Sequence, residues 1–354
     1  MECNAFMVVR EQMKTNPKSR SIDLRIDVSA AVPLPGPLEM AVMAYLPDPA
    51  NLASPPVAIF AVPGGGYSRG YFDMHFAGHA GYSEAEFHTA RGSIFIACDH
   101  LGVGASTIAH LDKITLENMG DSYAHAVRTL CQRIEEGTLA AGFPKLPKFA
   151  KIGIGQSLGG MATIIAQARQ HVFDGIAPLG YSAIHTQLPQ PTETARAESV
   201  KFHNLKRDSD MSKASIAESS SHVMDFKYPF HWEDVPKDIL DADMAGGYPI
   251  RKTVPPFGSS TMPTCSLLGM TPGVVGKEAA AIRTPVLVAV GQRDVCPDPH
   301  AEPGAYRGSS DVCLFIAPRM AHMHNFASTR ELLWERTAAW AARAARQAVR
   351  TPKA

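Results

Sequence analysis

The chain has 354 residues, of which 45% are hydrophobic and 19% charged, a composition that suits one large domain with an insertion, or two domains, and excludes a disordered or fibrous chain. Lys plus Arg and Asp plus Glu both number 34, so no net field draws the chain to nucleic acid or to an anionic membrane. The cysteines (Cys3, Cys98, Cys131, Cys265, Cys296 and Cys313) form no C-x-x-C pair and no metal-type spacing, and no apolar run nears the ~18 residues of a membrane span.

Residues 1–21 are polar, interrupted by Asn16-Pro17, and read as an arm without a signal-peptide pattern; a cytoplasmic setting is the default expectation. Alternating polar and apolar residues predict strands at 21–30 (SIDLRIDVSA) and, more loosely, at 38–47 (LEMAVMAYLP). The continuous apolar run VAIFAVP (57–63) predicts a central strand buried on both faces, ending at Gly64-Gly65-Gly66. A helix is expected over 82–92, a buried strand over 93–100 (SIFIACDH), and a long helix over 114–137 that stops at a glycine. Then come a strand at 149–155, a helix at 158–170 and a strand at 173–182.

Alternating strands and helices predict an α/β protein with a mostly parallel sheet covered on both faces. The alternation lapses near residue 184 and resumes with strands at 284–291 (TPVLVAVG) and 312–318 (VCLFIAP) and a helix at 328–349. The intervening stretch is rich in Pro, Ser, Met and aromatics, with VPKDILDADMAGG helical in pattern. The simplest organisation is a core of 22–183 and 276–354, interrupted by a mainly helical cap at 184–275.

Chemistry concentrates at strand ends. Gly155-Gln156-Ser157-Leu158-Gly159 fits G-x-S-x-G, with a strand before it and a helix after it, the setting of a nucleophilic serine on a tight turn. A serine hydroxyl needs a base, and the base needs an orienting group. Asp294, just past the Gly291 turn, is the expected acid, with Asp298 in reserve. His322, on the loop after the 312–318 strand, is favoured as base over His324. Gly64 to Gly66 can aim backbone N–H groups at a developing oxyanion, whereas neither a G-K-[ST] nor a G-x-G-x-x-G phosphate loop fits. His75 and His79 lack the glutamate of H-E-x-x-H, so no zinc site is expected there.

These residues resemble the α/β-hydrolase fold in its serine-nucleophile, esterase- and lipase-like branch. The resemblance spans roughly 22–183 and 276–350 and rests on Pro63-Gly64-Gly65-Gly66, the D-x-x-G-x-G-x-S turn from Asp99 to Ser106, the elbow, G-x-x-D at 291–294 and the late A-H-M-H. Pro63 replaces the usual histidine before the glycines, and Ala321 the usual glycine before His322.

The resemblance implies that Ser157 attacks a carbonyl carbon, that His322 takes its proton and that Asp294 orients the histidine. It also implies that N–H groups of Leu158 and of Gly65 or Gly66 hold the oxyanion, with Tyr67 N–H as a further donor. Tyr67, Gln156 and Trp232 are expected to touch substrate, and no cofactor or metal is needed. The expected partner is a hydrophobic small-molecule ester or lactone, with no nucleic acid and no membrane; a homodimer is left open. The cap's aromatics and methionines either line the substrate pocket or form the cap's own core. Acyl transfer, C–C bond hydrolysis and a non-catalytic ligand-binding role are the alternatives.

Overall fold

A run such as VAIFAV can be apolar at every position only if both faces of its strand are covered, and the structure covers both. The computed structural model describes residues 20–199, 205–211, 226–248 and 250–350. Eight strands form one sheet: β1 (Arg20–Asp27), β2 (Glu39–Leu46), β3 (Val57–Val62), β4 (Ile94–Cys98), β5 (Ala150–Gln156), β6 (Gly175–Leu179), β7 (Val286–Arg293) and β8 (Val312–Ala321). Their order is β1-β2-β4-β3-β5-β6-β7-β8. The β1–β2 and β2–β4 pairs are antiparallel, and every pair from β4 to β8 is parallel.

Helices α1 (Glu84–Thr89), α2 (Leu116–Glu136) and α3 (Leu158–Gln170) follow β3, β4 and β5. On one face Ala58, Phe60 and Val62 of β3 pack with Tyr123 and Val127 of α2 and with Met161 and Ile165 of α3. On the other, Val57, Ile59 and Ala61 join Ala85 of α1 and Trp340, Ala341 and Ala344 of the C-terminal helix. The alternation of the strand thus feeds two cores. Helix α2 opens with a capping box between Thr115 and Asn118 and ends at Gly137, whose φ of 77° suits a left-handed cap.

The β6–β7 connection holds no strand among its described residues. It carries α4 (Glu193–Ser199), α5 (Lys227–Phe230), α6 (Lys237–Met244), a 3-10 turn (Thr264–Met270) and α7 (Gly276–Ala281). Gly273 N–H donates to the Ile184 carbonyl at 2.9 Å, so the chain leaves the sheet layer and returns to it at one place. After β8, α8 (Arg330–Arg350) closes the second face.

Two of the boundary differences from the sequence reading have a visible cause in strand pairing. Strand β1 starts at Arg20, inside the segment expected to be an arm, because Arg20 and Ser21 pair with Leu46 and Tyr45 of β2; residues 1–19 lie outside the described residues. Strand β8 continues to Ala321, three residues past the apolar run, because the β7–β8 register shifts between Gly291 and Arg293 and pairs Arg293 with Ala321. The next residues on the two strands are Asp294 and His322. The irregularity therefore sets the two side chains abreast on the rim where the parallel strands end.

Candidate active site

Ser157 stands between β5 and α3 with φ 53° and ψ −116°, a backbone state that L-residues seldom adopt. Its N–H donates to the Leu179 carbonyl at 2.8 Å, which anchors the turn to β6. The neighbouring glycines answer to close approach. A Cβ on Gly155 would lie 2.1 Å from the Gly159 carbonyl oxygen, and one on Gly159 would lie 2.1 Å from that of Val62. Ser157 itself remains partly exposed.

His322 Nε2 lies 2.9 Å from Ser157 Oγ, and its Nδ1 lies 2.7 Å from Asp294 Oδ1. An ionised carboxylate only accepts, so Nδ1 carries the hydrogen and Nε2 turns a lone pair to the serine hydroxyl. His322 is held by its main chain as well: its N–H donates to the Pro229 carbonyl at 2.9 Å, and its carbonyl accepts Gln156 Nε2 at 2.9 Å. Phe230 covers the imidazole with ring centres 5.5 Å apart.

Asp294 accepts four hydrogen bonds of 2.7 Å each, from Gly291 N, Val295 N, His322 Nδ1 and His324 Nε2. Burial alone would raise its pKa. The two imidazoles, His324 ahead of His322, together with their hydrogen bonds, instead hold the carboxyl far below the usual carboxylate range. The reserve acid, Asp298, accepts from the N–H groups of His300 and Ala301, where it closes a turn. The reserve base, His324, reaches the second oxygen of Asp294 and not Ser157.

The glycine loop after β3 abuts the serine: a Cβ on Gly64 would lie 3.2 Å from Ser157 Cβ. The N–H of Leu158 is the first of α3 and has no acceptor within the helix. Tyr248 Oη donates to the Gly65 carbonyl at 2.7 Å, and Ser259 N donates to that of Gly66 at 3.0 Å. In a trans peptide the N–H points opposite to the carbonyl, so holding the Gly65 carbonyl fixes where the Gly66 N–H points. His100, after β4, donates from Nε2 to the Pro63 carbonyl at 2.8 Å, and burial lowers its pKa to about 4. Asp99 beside it accepts from Arg69 N at 2.5 Å and Ala105 N at 2.9 Å and so shapes the turn past the glycines.

Behind this loop lies a buried polar cluster with Asp243 at its centre. Its carboxylate meets Arg251 Nη2 at 2.8 Å, His231 Nε2 at 2.8 Å and Tyr67 Oη at 2.7 Å. Arg251 also donates from Nε to the Gly66 carbonyl at 3.2 Å and lies 4.9 Å from the Tyr67 ring centre. Asp243, Arg251 and His231 are all buried. Such an ion pair is tolerable only because nearly every lone pair and N–H at its centre has a partner.

Three residues expected to touch substrate have other places. Tyr67 is fully buried, its hydroxyl held by Asp243 and its N–H directed to the Gly64 carbonyl at 3.2 Å, which also removes it as an oxyanion donor. Gln156 is buried at the end of β5 and holds the His322 carbonyl. Trp232 packs beside the Arg293 guanidinium, 4.8 Å from its ring centre, with Tyr228 at 4.0 Å from the same cation. Of the aromatics between β6 and β7, Phe230 and Phe257 belong to the core of the α1 and α8 face, while Phe226, Phe230 and Tyr248 cluster with ring centres 4.6–5.4 Å apart.

The sequence reading assigned no role to His231, Asp243 or Arg251, placed His100 only within the Asp99–Ser106 turn, and counted Tyr248 only among the cap aromatics. Asp243 lies within a dozen residues of His231 and Arg251 but is joined to Tyr67 from the far glycine loop, and no known motif spacing marks the set. An acidic residue on the inner side of α6 was the one available cue, because a buried carboxylate requires a partner.

No protein-family model and no curated protein matches the chain. Solved structures do. An esterase from Thermogutta terrifontis is 16% identical with a TM-score of 0.58, over 92% of this chain and 99% of that one. A proline iminopeptidase from Mycobacterium smegmatis is 17% identical with a TM-score of 0.58, over 92% and 100%. A haloalkane dehalogenase loop variant from Bradyrhizobium elkanii is 14% identical with a TM-score of 0.58, over 94% and 100%. These proteins break different bonds, so the likeness speaks to fold and leaves the chemistry to the site.

Proposed function

We propose, from the α/β-hydrolase fold that this chain adopts, that it is a serine hydrolase acting on a carboxylic ester or lactone of a hydrophobic small molecule. The observation that carries this reading is the line from Ser157 Oγ to His322 Nε2 at 2.9 Å and from His322 Nδ1 to Asp294 Oδ1 at 2.7 Å. The likeness to a haloalkane dehalogenase does not bear on this, because here serine occupies the elbow.

In this reading His322 accepts the Ser157 proton as Oγ attacks the carbonyl carbon, and Asp294 stabilises the imidazolium that forms. The oxyanion takes hydrogen bonds from Leu158 N–H and from Gly65 or Gly66 N–H, each donor contributing on the order of 3 kcal/mol to the transition state. The imidazolium then protonates the leaving alcohol, and water activated by the same histidine releases the acid from Ser157. The hydrophobic substrate class is supported by what surrounds these groups: the Phe230 ring over His322, Met262 against Gly65, and Leu158.

The test is hydrolysis of p-nitrophenyl esters of graded chain length and of a few lactones. Ser157→Ala should lower kcat by about 10⁴-fold or more and abolish labelling by an organophosphonate probe. Retention of most ester hydrolysis in Ser157→Ala would falsify the reading. Products formed with added alcohol separate hydrolysis from acyl transfer.

A further inference from the structure

Two imidazoles meet one carboxylate in this site, and the chemistry above needs only one of them. His322 takes Oδ1 of Asp294 and His324 takes Oδ2. Each oxygen also takes one main-chain N–H, Val295 on Oδ1 and Gly291 on Oδ2. These four donors fill the four lone-pair positions of a carboxylate, so Asp294 has no rotational freedom left.

The second imidazole is built in. His324 is 1% exposed, on the 3-10 turn His324–Phe326 that follows β8. Gly180 at the end of β6 makes room for it: a Cβ there would lie 3.0 Å from His324 Cε1. The other ring nitrogen of His324, Nδ1, is buried without a hydrogen-bond partner. A charged imidazole would place an N–H without an acceptor at that point, which costs more than an idle lone pair. His324 Nε2 faces a carboxylate, which only accepts, so this nitrogen carries a hydrogen and donates it to Asp294.

We propose that His324 is a positioning residue: its Nε2–H fixes one oxygen of Asp294 so that the other stays on His322 Nδ1, and by sharing the carboxylate's charge it limits how far protonated His322 is stabilised. The proposal rests on the reading of Ser157, His322 and Asp294 as a catalytic set, and it adds the group that holds the carboxylate in place for His322.

The other titratable groups around the carboxylate do not compete for this role. Burial holds Tyr71 neutral, its hydroxyl engaged by Asn325 N, and pushes the Cys296 thiol up to about 12. Arg293, next in sequence to Asp294, is turned to Glu233 and to the His231 carbonyl. Glu84 pairs with Asn325, and Asp243 with Arg251, His231 and Tyr67.

The experiment is histidine NMR on the full chain labelled with 13C and 15N, which needs no substrate. Wild-type His324 should show hydrogen on Nε2 and a bare Nδ1 through neutral pH. In His324→Leu the titration midpoint of His322 should rise by about 0.5 to 1 unit, because the whole carboxylate charge then faces it. His324→Gln, which restores an N–H donor, should return the midpoint toward wild type. The acid limb of kcat/KM should follow the NMR midpoint in all three proteins, with kcat of the Leu variant down about tenfold.

An unmoved His322 midpoint in a folded Leu variant overturns the proposal. So does a wild-type His324 that carries its hydrogen on Nδ1, a result that stands even if neither variant folds. Survival of ester hydrolysis in Ser157→Ala would instead sink the hydrolase reading, and the NMR result would still decide the role of His324 on Asp294.

Discussion

Ser157 is flanked on two sides that are built differently, a base side and an oxyanion side in the proposed reading. On the base side, Asp294 and His322 follow adjacent strands, and the pairing of Arg293 with Ala321 sets them abreast. That side is a product of sheet register. On the oxyanion side, the Gly64–Gly66 loop is held by His100 from the neighbouring strand and by Tyr248, Arg251 and Ser259 from the β6–β7 connection. That side is complete only while the connection stays docked through the buried Asp243–Arg251 pair. Damage to the base side should therefore read out mainly as chemistry, and damage to the oxyanion side as lost stability first.

The largest expected effect breaks the base side. Asp294→Asn keeps the shape of the side chain but removes the charge and allows the wrong His322 tautomer, so kcat should fall by about 10⁴-fold with KM little changed. Initial-rate kinetics check this, and a loss under tenfold would mean that Asp294 does not orient the base. The matching break on the other side is Arg251→Met. It leaves Asp243 buried without its cation, at a cost of about 3–5 kcal/mol read from the urea midpoint. Adding Asp243→Leu should recover part of that loss, since an ion pair removed as a unit leaves no unpaired charge. A single-variant cost below ~1 kcal/mol would show that the connection docks by other means.

The same contrast explains what could be read from the sequence. β3 and β5 to β8, with the 158–170 helix, were legible because burial on two faces writes long apolar runs and the elbow needs glycines at fixed places. Asp294 and His322 could be singled out because the motifs that carry the resemblance put an acid and a histidine just past late strands, and the structure sets the two side chains 2.7 Å apart. Register was not legible: nothing in TPVLVAVGQRD or VCLFIAPRMAH announces the shift that aligns them. The expected contact roles of Tyr67 and Gln156 were assigned by nearness in sequence to the motifs, and packing put those two side chains to structural use, while Trp232 was chosen as a cap aromatic and packs beside Arg293. The Asp243 cluster was invisible because its members, Tyr67, His231 and Arg251, are joined by tertiary contact alone.

The third effect sharpens the oxyanion side through pH. Burial keeps His100 neutral down to about 4, whereas an unfolded histidine takes up its proton near 6.5. Between those values the unfolded chain binds more protons than the folded one, so the folded state loses stability as pH falls through this window, by on the order of 3 kcal/mol. His100→Gln can keep a donor for the Pro63 carbonyl without titrating. Urea midpoints at pH 7 and pH 4.5 should drop less in the variant than in the wild type. Equal drops would mean that His100 is not held neutral.

The smallest effect isolates one hydrogen bond. Tyr248→Phe leaves the ring among Phe226 and Phe230, with ring centres 4.7 and 4.6 Å away, and removes only the hydroxyl that holds the Gly65 carbonyl. That peptide then loses one of its restraints, and the Gly66 N–H loses its fixed direction. The cost should appear in the transition state and not in the ground state: kcat about 5- to 10-fold lower, KM unchanged, and a boronate transition-state mimic weaker by the same factor while the product acid binds as before. If kcat instead holds and only the urea midpoint falls, the connection serves the fold alone, and the oxyanion donors are set by Pro63, His100 and the glycines without it.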